Sequence, residues 1–88
     1  MENREEVYQY VVERIVGWRK TKWWKENVTK ESLSNSSELD KIGLDSLDVI
    51  EIIVKTEEHF GIEVRDEDIE DIVTIGNMVD LIVKSPQK

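Results

Sequence analysis

The chain of 88 residues predicts an all-α fold of four helices, with a long first loop and a short third helix. Three observations point there. Apolar residues recur at spacings of three and four in separate stretches, cap and stop residues stand at the ends of those stretches, and no stretch sustains the period-two alternation of a strand. A single domain over residues 1–88 follows from the length, which supports only a modest core.

The first helix is expected from about Asn3 to about Arg19. Val7, Val11, Ile15 and Trp18 form one helical stripe, and Tyr8 and Val12 widen it. Glu2, Glu5 and Glu6 lie near its start, where the helix dipole favours negative charge. Gly17 weakens the helix without forbidding it, and Thr21 to Asn27 reads as either a ragged extension or a loop.

Val28 to Leu44 reads as a long connection rich in turn and cap residues: Thr29, Ser32, Ser34, Asn35, Ser36 and Ser37. Val28, Leu33, Leu39 and Ile42 are spaced to pin it to the core. The second helix is expected from Ser46 to Phe60-Gly61. On a wheel of about 100° per residue, Val49, Ile50, Ile52, Ile53 and Phe60 share a buried arc, with Glu57 awkwardly inside it. Asp48, Glu51, Lys55 and Glu58 take the opposite side, and Leu47 and Val54 stand at the seam. Asp66-Glu67-Asp68 then caps a short third helix carrying Ile69 and Ile72. Thr74 caps a fourth, whose stripe is Ile75, Val79 and Ile82 with Met78 and Leu81 beside it, and Pro86 marks its limit.

Composition narrows the function. There is no cysteine, which removes disulfides, thiolate nucleophiles and cysteine-ligated metals together. No apolar run approaches the roughly 20 residues of a membrane span, and the acid-rich start resembles neither a signal nor a transit peptide; a cytoplasmic, monomeric domain is expected. The charge is −8, with 20 acids against 12 bases. Residues 1–41 are neutral, so the whole excess lies in residues 42–88. An acidic half repels nucleic acid and attracts partners with basic docking patches.

Ser46 is the candidate functional residue. A nucleophilic serine needs a base within hydrogen-bond reach. The only histidine, His59, is thirteen residues along the same expected helix, about 20 Å away, and points in nearly the opposite direction. Asp45 and Asp48 are too weak as bases to activate an alcohol unaided. No catalytic residues and no metal ligands are therefore assigned, and the chain reads as a non-enzyme. As an acceptor, Ser46 is well placed. It begins a helix, so backbone N–H groups and the positive end of the dipole face a phosphate esterified to its hydroxyl, and Gly43 lets the chain turn closely into the helix. An ordinary N-cap serine would look the same.

The residues around it decide between these readings. Gly43-Leu44-Asp45-Ser46-Leu47-Asp48 resembles the G-x-D-S-L-D signature of acyl carrier proteins. Glu57-Glu58-His59-Phe60-Gly61-Ile62-Glu63-Val64 resembles that family's E-E-x-F-G-I-x-I segment, and Arg65 to Gly76 its P-D-E-D-x-E-x-I-x-T-V-G run. The likeness is continuous from about Ile42 to Ile82.

The resemblance implies a four-helix acyl-carrier-type bundle whose Ser46 carries a covalent 4′-phosphopantetheine arm. A phosphopantetheinyl transferase adds the arm from coenzyme A, and its terminal thiol holds acyl groups as thioesters, in fatty-acid synthesis or a related lipid or polyketide pathway. It implies that Asp45, Asp48, Glu51, Glu57 and Glu58, with Leu47 and Val54, are the partner-binding residues for acyl-transferring or synthase enzymes. It also implies that Ile50, Ile53, Phe60, Ile62, Ile69, Ile72, Val79 and Ile82 line the space taken by an acyl chain. A freestanding carrier is expected. An aminoacyl, peptidyl or D-alanyl carrier, and a non-carrier helical interaction module, are the alternatives.

Three features depart from the family pattern, one of them the long connection, which is richer in Ser and Asn than usual and lacks a clear acidic turn before Leu39. Lys55 stands in the acidic strip where a small or apolar residue is usual. From Arg14 to Lys25 there is no acid, but there are five Arg or Lys and three Trp. Such clusters bind membranes or nucleic acid in other settings; large aromatics in small domains more often pack. Packing of Trp18 on the first helix and of Trp23 or Trp24 under the long loop is expected, with at least one of Trp23 and Trp24 exposed.

Overall fold

The computed structural model describes residues 3–21 and 30–87, with side chains for 3–17 and 30–87. Its helices are α1 (Arg4–Thr21), α2 (Ser46–Phe60), α3 (Asp66–Ile69) and α4 (Ile75–Lys84), with a 3₁₀ turn at Lys30–Ser32. No strand occurs among the described residues, only isolated bridges between Glu38 and Thr74 and between Ile62 and Gln87. The expectations for Trp18, Trp23, Trp24, Val28 and Thr29 fall outside the described side chains.

Each long helix begins with a side chain that takes up otherwise unpaired backbone donors. Asn3 Oδ1 accepts from the amides of Glu5 (2.8 Å) and Glu6 (3.3 Å) at the head of α1. Thr74 caps α4 as expected, its hydroxyl accepting from Asn77 N while the Asn77 side chain reaches back to Thr74 N. α2 ends on Gly61, whose φ of 66° is the left-handed conformation that glycine adopts without a Cβ penalty.

The core is made by α1, α2 and α4 together, with α1 packed against both of the others. Val7, Val11, Val12 and Ile15 face Ile75, Met78, Val79 and Ile82, and Val49, Ile52 and Ile53 close the third side. Leu33 and Leu39 of the long connection are buried, as their spacing suggested, Ile42 is half-buried, and Leu44 is buried in addition. The connection is fastened along the start of α4: Leu39 N donates to Val73 O (2.9 Å), Ile75 N to Ser37 O (3.0 Å) and Gly76 N to Asn35 O (2.8 Å).

Several expectations need correction. α1 runs through Gly17 to Thr21, two residues past Arg19. Ile50 was placed on the buried arc of α2 but is 42% exposed, while Asp48, placed on the outer face, is only 4% exposed. The cause is local satisfaction of polar atoms. Asp48 bonds the Asp45 amide, and the fully buried Thr56 donates its hydroxyl to Ile52 O at 2.7 Å. Both residues can therefore enter the buried arc, and the helix turns toward them and away from Ile50. Phe60, Ile69 and Ile72 are half-buried satellites of the core. The acids Asp66 to Asp68 do not cap α3: its N-cap is Arg65, with no side-chain cap bond, and the acids occupy the first turn. Ile72 lies beyond the end of that helix.

Candidate functional site: the serine at the head of the second helix

The approach to Ser46 is a tight turn. Gly43 has φ of 91°, a conformation that disfavours any side chain. The turn is held by Gly43 N donating to Asp40 O (3.1 Å) and Leu44 N to Leu39 O (3.0 Å). Leu44 is buried and Ser46, two residues on, is exposed, so the turn is anchored on the core immediately before the serine. Nearby, Lys41 pairs with Glu38 at 3.0 Å, and this bond holds the Lys41 amine above its usual range.

The cap of α2 belongs to Asp45. Its Oδ1 accepts from Asp48 N at 2.9 Å, and Asp48 Oδ2 accepts from Asp45 N at 3.1 Å, a reciprocal capping box. Ser46 is thus the first residue inside the helix, and its hydroxyl is not spent on the cap. Among the described residues no hydrogen bond engages that hydroxyl. An accessible, uncommitted oxygen remains, beside the free N–H groups and positive dipole end of a four-turn helix, where a phosphate is electrostatically favoured. The residues present fit a phosphate ester at this oxygen.

No imidazole stands beside Ser46, since the chain has one histidine. His59 lies at the far end of α2, its ring stacked on Tyr10 of α1 with centroids 4.2 Å apart. Among the described residues no group of three or more His, Cys, Asp or Glu is arranged to hold a metal ion.

The expected partner-binding residues separate into two sets. Leu47 (71% exposed) and Val54 (45%) stand out from α2, with Glu51 and Glu58 exposed beside them and Asp45 exposed while capping. Asp48 is buried in the cap, and Glu57 is half-buried with Oε2 accepting from Val64 N at 2.9 Å. Those two carboxylates serve the chain's own backbone. Ile50 is the residue that the sequence reading assigned to the core and the structure brings outside: with Leu47 and Val54 it completes an apolar stripe at i, i+3 and i+7. That spacing was visible in the sequence and is a helical face in its own right. Val73, in the link before α4, is a further exposed apolar residue at 53%.

Comparison with known proteins agrees with this geometry. Residues 25–82 match the family described as "Phosphopantetheine attachment site". The chain is 32% identical over 85 residues to the protein named "Acyl carrier protein, mitochondrial" of Saccharomyces cerevisiae, covering 96% of this chain and 66% of that protein. It is 43% identical over 56 residues to the "Acyl carrier protein" of Buchnera aphidicola, covering 64% of this chain and 71% of the relative. The crystal structure of an acyl carrier protein from Thermotoga maritima superposes with a TM-score of 0.66 at 23% identity, over 89% of this chain and 88% of that one, which shows the shared fold. An exposed serine heading a capped helix, in a helical bundle matched by these relatives, places the chain in the acyl carrier protein family, whose cofactor is 4′-phosphopantetheine.

Proposed function

We propose that Ser46 is the attachment point of the 4′-phosphopantetheine arm and that the chain is a carrier of acyl groups with no catalysis of its own. The observation that carries this reading is the Ser46 hydroxyl: exposed, in the first turn of α2, and released from capping by Asp45. When bound, the arm supplies a thiol at the end of a long flexible tether.

The chain's own residues do the rest. Ser46 Oγ provides the ester oxygen, and the first-turn amides of α2 face the attached phosphate. The Asp45–Asp48 box keeps those amides in place, and Leu44 anchors the turn to the core. Docking falls to Leu47, Ile50 and Val54 as apolar contacts, with Asp45, Glu51 and Glu58 as the charges that speed encounter with basic patches. Asp48 and Glu57, expected as docking acids, are assigned instead to holding α2 at its two ends. The partners are a phosphopantetheinyl transferase and enzymes that load, extend or remove acyl chains, in fatty-acid or related lipid synthesis.

The test is intact mass after incubation with coenzyme A and a broad-specificity phosphopantetheinyl transferase. The wild-type chain gains one arm and Ser46→Ala gains none. A gain that persists in Ser46→Ala moves the site elsewhere, and no gain in the wild type with several transferases leaves a helical interaction module.

A further inference from the structure

At about 100° per residue, the exposed surface of α2 is banded. The apolar stripe Ile50, Val54 and Leu47 comes first, then Glu58 and Glu51, then Lys55, and finally His59 where α2 meets α1. The last two are tied to α1 through Tyr10, whose hydroxyl donates to the Lys55 carbonyl at 3.3 Å and whose ring stacks on His59. Arg14, one turn further along α1, holds its guanidinium 5.3 Å from the centre of the same ring. Tyr10 therefore sets Arg14 and the Lys55 backbone at one border of the docking helix.

Neither of these two cations is paired with a carboxylate, a state that Lys84 at the end of α4 shares among the described residues. Arg4, Lys30, Lys41 and Arg65 each pair with an acid. Arg14 and Lys55 are exposed and make no ion pair among the described residues. The neighbouring Glu13 is neutralised by Lys30 at 2.9 Å. An open depression of about 620 Å³ lies beside Arg14, lined by Tyr10, Arg14, His59 and Phe60 together with the acids Glu6 and Glu13. In a chain of net charge −8, two cations without an acid partner give this edge of the acidic face a mixed charge.

We propose that Arg14 and Lys55 form a second, cationic docking edge, which fits a protein partner carrying a carboxylate patch next to the basic patch that meets Glu51 and Glu58. The proposal rests on the carrier reading and deepens it by naming the charge pattern of the partner. Opposite charges side by side fix the rotation of the docked helix as well as its position, and they penalise a partner whose patch is uniformly basic.

The experiment uses the holo chain and an acyl-transferring enzyme of the source organism that accepts it as substrate. KM and kcat are measured for the wild type, Lys55→Arg, Arg14→Lys and the double variant Arg14→Glu/Lys55→Glu, with circular dichroism to show that each is folded. The expected result is a KM roughly tenfold higher for the double variant at unchanged kcat, with the conservative variants near wild type. The sign is decisive, because a uniformly basic partner patch would bind the double variant more tightly. A KM that is unchanged or lower overturns the proposal. So does an unchanged KM accompanied by loss of co-sedimentation with phosphatidylglycerol vesicles, which would give the cations to a membrane surface. Arm attachment by the transferase is checked first in every variant; its failure in the wild type counts against the carrier reading, and its success with an unchanged KM counts against the cationic edge alone.

Discussion

Gly76 and Asn35 meet backbone to backbone: the Gly76 amide donates to the Asn35 carbonyl at 2.8 Å, and a Cβ built on Gly76 would stand 2.9 Å from that oxygen. The contact presses the long connection onto the first turn of α4. The Asn35 side chain adds a second tie, accepting from Arg4 Nη2 at 2.8 Å, while Arg4 Nε donates to Asp80 of α4 at 2.9 Å. One arginine thus joins α1, α4 and the connection.

Gly76→Ala should destabilise the fold by about 1–3 kcal/mol, because backbone rather than a flexible side chain must give way. Gly17→Ala is the control. Nothing lies within 4 Å of its Cβ position in α1, so it should be neutral or stabilising by up to about 1 kcal/mol. Urea denaturation of the two variants, read as midpoints at constant slope, checks the pair.

Asp45→Ala and Asp48→Ala should each cost about 1 kcal/mol of stability through loss of the capping box. The double variant should cost less than the sum, since each side chain serves the other's amide. Asp48→Ala should leave the KM of acyl-transferring partners unchanged after allowance for folding, whereas Glu51→Lys raises it. Equal effects of the two on KM would return Asp48 to the docking face.

Glu57→Ala removes the acceptor for the amide of the buried Val64 and should destabilise by about 1–3 kcal/mol. Glu58→Ala, one residue on and exposed, should stay within about 0.5 kcal/mol of wild type. Thermal melts at equal protein concentration separate the two.

The Lys30 ammonium bonded to Glu13 holds that carboxyl below its usual range. A depressed carboxylate contributes stability that is fully present above its unfolded pKa and is lost as pH falls through the folded value, so the pair weakens only in acid. Both side chains are exposed, so the contribution is small. Carboxyl NMR titration should show the Glu13 transition move upward in Lys30→Ala.

The stripes of α1 and α4 were legible because a helix places every third or fourth residue on one face regardless of what lies opposite. Val7, Val11 and Ile15, and Ile75, Val79 and Ile82, are buried where that periodicity puts them. Thr74 and the head of α2 at Ser46 were legible for a similar reason: caps depend on residues three or four apart in sequence. Ser46 itself needed the motif around it, since its local chemistry fits an N-cap as well as an acceptor.

The rotation of α2 about its own axis was not legible. A wheel gives the relative angles of Asp48, Ile50, Thr56 and Glu57, but the direction of the core is set by where α1 and α4 stand. That direction admitted Asp48 and Thr56, whose polar atoms are met by backbone close at hand, and left Ile50 outside. The same holds for Asn35 against Gly76 and for Tyr10 between His59, Arg14 and Lys55. Local order along the chain determined the helices and their caps, and packing between distant segments decided which sides of them face a partner.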